Sequence, residues 1–275
     1  MWPSIGIMQG RLLPDALDRL QVFPISDWKK EFLVSSESGF DCFELLYDKE
    51  MVLYELVQLG GNYQKLGLSR ENNMFGIKST SVCLDFLAEI PLINTATRER
   101  FINELLRAMK LFKNSTVEVL VVPFCDKNEI LTSLDLKKAL NYLKTSGIDK
   151  LASDYELELS LELTLPANLV FEEFSACKFA NIGICLDLGN SKFSGFQPEE
   201  EIMQLDVLIN HVHIKDRLVG GPNVMLGDGD VDFKACFRSL RIIDYSGRFI
   251  LETRYFENPI KEACLNLNYL KSVVI

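Results

Sequence analysis

Eight short apolar runs, each followed by a longer stretch of helical periodicity, constrain this chain more than any other feature. The runs are Ser4–Gln9, Phe40–Leu45, Ile77–Leu84, Val117–Pro123, Glu156–Leu163, Ile182–Asp187, Ile209–Lys215 and Arg248–Glu252. Between them, Thr95–Phe112 places Phe101, Leu105, Ala108, Met109 and Phe112 on one helical stripe. Ser133–Thr145 does the same with Leu136, Leu140 and Leu143, and stops near Gly147. Asp232–Ile243 carries Phe233, Cys236, Phe237 and Leu240. Pro198 and Pro259 suit first helical turns, and the glutamates after Pro198 complement the helix dipole. Strands separated by helices imply a parallel sheet with right-handed crossovers, and eight is the number that closes a (β/α)8 barrel. A chain of 275 residues is the size of one such barrel, so residues 1–275 are expected to form a single α/β domain. The alternative is an open doubly wound sheet. Against it, Gln9-Gly10-Arg11 follows the first run where a glycine-rich dinucleotide fingerprint would sit.

In a parallel barrel every strand ends on one face, and reactive groups collect there. Three runs end in a lone carboxylate: Leu159-Ser160-Leu161-Glu162, Ile184-Cys185-Leu186-Asp187 and Phe249-Ile250-Leu251-Glu252. The fourth of this consecutive set holds both histidines of the chain, His211 and His213, which alternation puts on one side of the strand. His213 lies nearer the strand's end and is favoured as a ligand; His211 reads as packed or supporting. One carboxylate at a strand end is ordinarily solvated or caps the next helix. Four donors in four consecutive units instead suggest a divalent-metal site of Glu162, Asp187, His213 and Glu252. Three carboxylates and an imidazole suit Mn²⁺ or Mg²⁺ best, with Co²⁺ and Zn²⁺ as further options.

Composition removes other classes. A formal net charge of -10 opposes a nucleic-acid footprint, which needs a basic face. No run approaches the ~20 apolar residues of a membrane span. MWPSIGIMQGR has no basic region followed by a long apolar stretch, so no secretory leader is expected. The seven cysteines are odd in number and contain no Cys-x-x-Cys pair, and they read as reduced residues of a cytoplasmic protein. Two segments look like long loops, Gly60–Gly76 and Leu218–Val231. The second follows the histidine run directly and would lie on the functional rim.

The segments IGIMQGRL, GFDCFELLYD, SVCLDF, VVPF, LELTLP, ICLDLGNS, HVHIKDR and GRFILETRY occur in this order along nearly the whole chain. In them the chain resembles the sugar phosphate isomerase/epimerase group, the xylose isomerase-like TIM barrels that include ketose 3-epimerases and inosose dehydratases. The resemblance implies one divalent metal held by Glu162, Asp187, His213 and Glu252, with Glu162 and Glu252 also carrying the proton transfer. Those epimerases often have a histidine three residues after the metal aspartate; here Asn190 stands there, which can hydrogen-bond a substrate hydroxyl but cannot exchange protons near neutral pH.

The chemistry expected is proton abstraction beside a carbonyl. The ion would bind the carbonyl and the adjacent hydroxyl and stabilise an enediolate. Return of the proton to the opposite face gives an epimer, return to the neighbouring carbon an aldose–ketose isomer, and loss of a β-hydroxyl a dehydratase product. Glu44, Asn190, Lys215 and Arg217 are candidates for holding a small carbohydrate, and Lys215 and Arg217 could take a phosphate or carboxylate. Arg11, Asp85 and Asp216 could also shape the pocket. An endonuclease-type phosphodiesterase on the same barrel would need more histidines than two. A non-catalytic barrel that binds a ligand or partner is the competing class. Phe193, Phe196, Tyr255 and Phe256 could stack on a sugar or line a homo-oligomer contact.

Overall fold

The computed structural model describes residues 4–13, 23–54, 68, 77–254 and 257–274. Eight parallel strands close into a barrel: β1 (Ile5–Met8), β2 (Cys42–Leu46), β3 (Lys78–Cys83), β4 (Val119–Pro123), β5 (Glu158–Glu162), β6 (Ile182–Asp187), β7 (Ile209–Ile214) and β8 (Phe249–Leu251). Closure is made by β8 against β1, with Ile7 level with Leu251. Each strand lies inside or within two residues of its expected run. The chain is a single (β/α)8 barrel, and the open-sheet alternative falls with the closed strand order.

The helices in chain order are α1 (Trp28–Glu37), α2 (Lys49–Tyr54), α3 (Arg98–Phe112), α4 (Ser133–Thr145), α5 (Ile148–Asp154), α6 (Ala167–Cys177), α7 (Leu188–Phe193), α8 (Pro198–Leu205), α9 (Phe233–Ile242) and α10 (Pro259–Val273). Side-chain caps fix where several begin. Thr132 accepts from Asp135 N, Asp232 from Ala235 N and Asn258 from Lys261 N, each satisfying a free N–H of the first turn. Pro198 and Pro259 sit in first turns as expected. Helix α3 starts at Arg98 rather than Thr95, because Asn94 Oδ1 takes the Ala96 N–H in a local turn. None of the helices of the described residues is long and apolar enough to cross a membrane.

Strand alternation divides the core in two. Outward residues such as Ile7, Phe43, Val82, Leu120, Leu161, Leu186, Val212 and Leu251 pack against the helices in the larger cluster. Inward residues Met8, Cys42, Leu46, Cys83, Val119, Val121, Cys185 and Ile250 fill the lumen. Gly6 faces that lumen too; a Cβ there would lie 2.7 Å from Cys42 Sγ and from Ile250 Cδ1, so only glycine fits the narrow end. All seven cysteines are free thiols, four of them buried.

The Leu218–Val231 segment is more structured than the sequence suggests. Asp216–Arg217 pairs antiparallel with Asn223–Val224 as a two-stranded ribbon. The Asp216 carboxylate gathers the N–H groups of Gly227, Gly229 and Val231 at 2.9, 3.0 and 3.2 Å, which folds the glycine-rich stretch around one side chain. Of the other expected loop, Gly60–Gly76, only Leu68 is among the described residues, and it is buried. Tyr255 and Phe256 lie outside the described residues as well.

Candidate metal centre

The alternation that sends Leu161, Leu186, Val212, Ile214 and Leu251 outward turns Glu162, Asp187, His211, His213 and Glu252 inward. Register makes Asp187 and His213 level and sets Glu162 and Glu252 two residues to either side of them. Asp187 pairs with His213 between β6 and β7, His213 with Ile250 between β7 and β8, and Glu162 with Cys185 between β5 and β6. One donor atom from each of Glu162, Asp187, His213 and Glu252 lies within 4.8 Å of all the others. His213 Nδ1 is 3.0 Å from Glu252 Oε2, 3.9 Å from Glu162 Oε2 and 4.0 Å from Asp187 Oδ2.

The other face of that imidazole is held from across the barrel. Glu44 on β2 is fully buried and accepts from His213 Nε2 at 2.9 Å and from His211 Nε2 at 2.8 Å. A carboxylate only accepts, so both rings carry their proton on Nε2 and His213 turns Nδ1 to the cluster. His211 is packed in the lumen against Glu44. Burial opposes the charge on Glu44, but the charges and hydrogen bonds of His213 and His211 outweigh it and hold the carboxyl at about 2. Burial pushes His211 towards its neutral form.

Electrostatics within the cluster are unequal. Burial, reinforced by the charge of Glu252, raises Glu162 to about 7. Burial acts on Glu252 too, but Lys215, His213 and Arg11 override it and keep its carboxyl well below the usual range. Lys215 Nζ lies 2.7 Å from Asp187 Oδ2 and 3.1 Å from Glu252 Oε2, inside the cluster. Its charge offsets part of the repulsion among three buried carboxylates.

The structure therefore brings together all four expected ligands and distributes the other expected residues around them. Asn190 donates to Glu162 Oε1 at 3.0 Å and accepts from Arg217, whose guanidinium lies 3.7 Å over the Phe193 ring. Glu44 faces the histidines with both oxygens. Arg11, 3% exposed, reaches within 3.7 Å of Glu252 Oε1. The loop bearing Arg11 is clamped by Glu31 of α1, which accepts from Gly10 N at 3.0 Å and Leu12 N at 2.9 Å. Glu31 is absent from the expected site, yet a signal existed. Its spacing from Trp28, Phe32 and Ser35 puts it on the buried stripe of α1, where a charge needs a reason.

Residues 32–273 match the family described as the xylose isomerase-like TIM barrel. The chain belongs to that family. Among curated proteins it is 24% identical over 258 residues to the L-ribulose-5-phosphate 3-epimerase UlaE of Salmonella heidelberg (strain SL476), covering 89% of each chain. Among solved structures, an L-ribulose 3-epimerase superposes with a TM-score of 0.77 at 16% identity, covering 99% of this chain and 95% of that one. An IOLI protein with a bound zinc atom superposes with a TM-score of 0.74 at 18% identity, covering 98% of each. Within this xylose isomerase-like barrel, the carboxylate–histidine cluster sits at the strand ends, where barrels of this kind carry their chemistry.

Proposed function

We propose that the protein is a divalent-metal-dependent isomerase or epimerase of a sugar or sugar phosphate. The observation that carries this reading is the convergence of Glu162, Asp187, His213 and Glu252 donor atoms within 4.8 Å at one end of the barrel. A cation fits this donor set. His213 Nδ1 and Asp187 Oδ2 are buried and neither makes a well-aligned hydrogen bond, although carboxylate and ammonium groups lie close by. A ring nitrogen that faces three carboxylates and aligns with none is placed to offer its lone pair to a metal that displaces its proton. The hard oxygen-rich set favours Mn²⁺ or Mg²⁺, and no thiolate belongs to it. A divalent cation there would supply Lewis-acid polarisation of a substrate carbonyl and of its neighbouring hydroxyl.

The protein's own groups supply the rest. Glu162 takes the proton from the carbon beside the carbonyl, and Glu252, after taking a proton from solvent, returns it to the opposite face. Lys215 Nζ, already 3.1 Å from Glu252, offers a donor to an oxygen on which charge accumulates. Glu44 keeps the His213 ring from rotating and fixes its tautomer, a supporting rather than a substrate-contacting role. Arg217, held over the Phe193 ring, presents a planar cation to a hydroxyl or anionic group of the sugar. The 3-epimerase activity named for UlaE supports the epimerase form of this reading.

Deuterium wash-in from D₂O tests it. Mn²⁺-loaded protein is incubated with ketoses, ketose phosphates and inososes, and the product is read by mass spectrometry. One deuterium per molecule at the carbon beside the carbonyl is expected for one substrate class, with loss of exchange in Glu162→Gln. Exchange retained in that variant would remove Glu162 as the base, and net loss of water from an inosose would make the enzyme a dehydratase.

A further inference from the structure

Asn190 touches two of the clustered carboxylates at once. Its backbone N–H donates to Asp187 Oδ1 at 2.7 Å, and its side-chain Nδ2 donates to Glu162 Oε1 at 3.0 Å. One residue thereby occupies one oxygen of each carboxylate. The remaining oxygens, Glu162 Oε2 and Asp187 Oδ2, are the two that face His213 Nδ1, at 3.9 and 4.0 Å.

The amide itself cannot turn over. A carboxylate oxygen only accepts and a guanidinium only donates, so Glu162 demands the Nδ2 end while Arg217 demands the Oδ1 end, which it meets through Nη1 at 3.3 Å. Arg217 is in turn immobilised. Its guanidinium carbon lies 3.7 Å over the Phe193 ring, its Nη2 donates to Gly221 O at 3.1 Å, and Gly220 N donates to Phe193 O at 2.9 Å. Helix α7 and the start of the glycine-rich segment are tied into one unit with Asn190 at its inner tip.

We propose that Asn190 is the positioning residue of this centre: held by Arg217, it selects which oxygen of Glu162 and of Asp187 is offered to the cation. The proposal rests on the metal-centre reading above and adds to it a function for the residue that replaces a histidine. The backbone contact to Asp187 survives any substitution, so side-chain variants isolate the effect on Glu162. Asn190→Leu keeps the shape and removes the amide. Asn190→Ser is too short to reach Glu162 and serves as a second variant. Arg217→Lys keeps the charge and loses the planar fork.

Mn²⁺ binding by calorimetry, with the Mn²⁺ electron paramagnetic resonance spectrum as a record of ligation, reads the outcome without any substrate. Wild type binds one Mn²⁺. Both Asn190 variants weaken it about 10–100-fold, the usual loss for a residue supporting a ligand, with an altered spectrum and a wild-type melting temperature without metal. Arg217→Lys weakens it by at most about two-fold, the limit set by an amide with two equal orientations, and adds nothing further in the Asn190→Leu background. Wild-type affinity and spectrum in both Asn190 variants would overturn the proposal and leave the metal centre standing. An equal Arg217→Lys effect in both backgrounds would overturn the hold of Arg217 on the amide. A wild type that binds no Mn²⁺ would remove the metal-centre reading, and this one with it.

Discussion

The β5–β8 half of the barrel mouth and the β1–β4 half both bury charge, but they use it differently. On the first, consecutive strands end in Glu162, Asp187, His213 and Glu252, which crowd together and face one point. On the second, the charged groups are spent on the first half or on the backbone. Glu44 reaches across the lumen to His211 and His213, 167 and 169 residues further along the chain. Arg11 turns to Glu252, and Glu31 closes the loop that holds Arg11. Two glutamates show the contrast. Glu44 sits at about 2 because two imidazoles satisfy it, whereas Glu162 sits at about 7 because burial and a neighbouring carboxylate dominate. In one half three carboxylates and an imidazole crowd one point, and the other half holds them through Glu44 and Arg11.

The comparison can be broken most sharply at a donor. His213→Ala should abolish stoichiometric Mn²⁺ uptake, a loss beyond the about 10–100-fold expected for supporting residues. Metal content of the purified, Mn²⁺-loaded variant checks it; metal retained at one equivalent would mean that the first half is not the site. Next is the scaffold. Glu44→Ala leaves two buried histidines without their acceptor and should destabilise the fold by about 3–5 kcal/mol in urea. A variant as stable as wild type would show that the two halves are independent.

The pH dependence of stability is the third test. Burial raises Glu31 from 4.5 to about 7 and Asp85 from 3.8 to about 7. In the folded state each keeps a proton that the unfolded chain has already released. Their contribution is therefore full below about pH 4 and is lost as pH rises to about 7, by up to ~3 kcal/mol for Glu31. Chelator-treated protein should melt higher at about pH 5 than at about pH 8, and Glu31→Gln should flatten that difference. Glu44 acts in the opposite sense: its lowered value supports the fold above the ordinary carboxylate range and is lost as pH falls towards about 2. The smallest effect belongs outside both halves. Lys138→Ala removes an exposed pair with Asp135 on α4 and should cost less than about 0.5 kcal/mol, with Mn²⁺ affinity unchanged.

Much of this was legible in one dimension. Alternation within Ile182–Asp187 and Ile209–Ile214 already puts Asp187 and His213 on the lumen side, and a parallel barrel puts both at the same end. The caps Asp232 and Asn258 and the prolines at α8 and α10 read directly as helix starts. The ribbon at Asp216–Arg217 did not, because its two-residue strands have no periodicity and depend on one carboxylate collecting three N–H groups.

Local periodicity, a property of neighbours in the chain, was thus enough to place the eight strands and to turn Glu162, Asp187, His213 and Glu252 inward. Tertiary structure alone decided the partners of those donors. Glu44 reads in sequence as a strand-end candidate for holding a carbohydrate, and only ring closure set it across the lumen from the histidines of β7. Asn190 reads in sequence as a substrate contact, and only the β5–β6 register and the fold of the following segment set it between Glu162 and Arg217. Such pairings depend on how the barrel closes and on the register between strands. Both are set by packing across the whole domain, so no window of sequence records them.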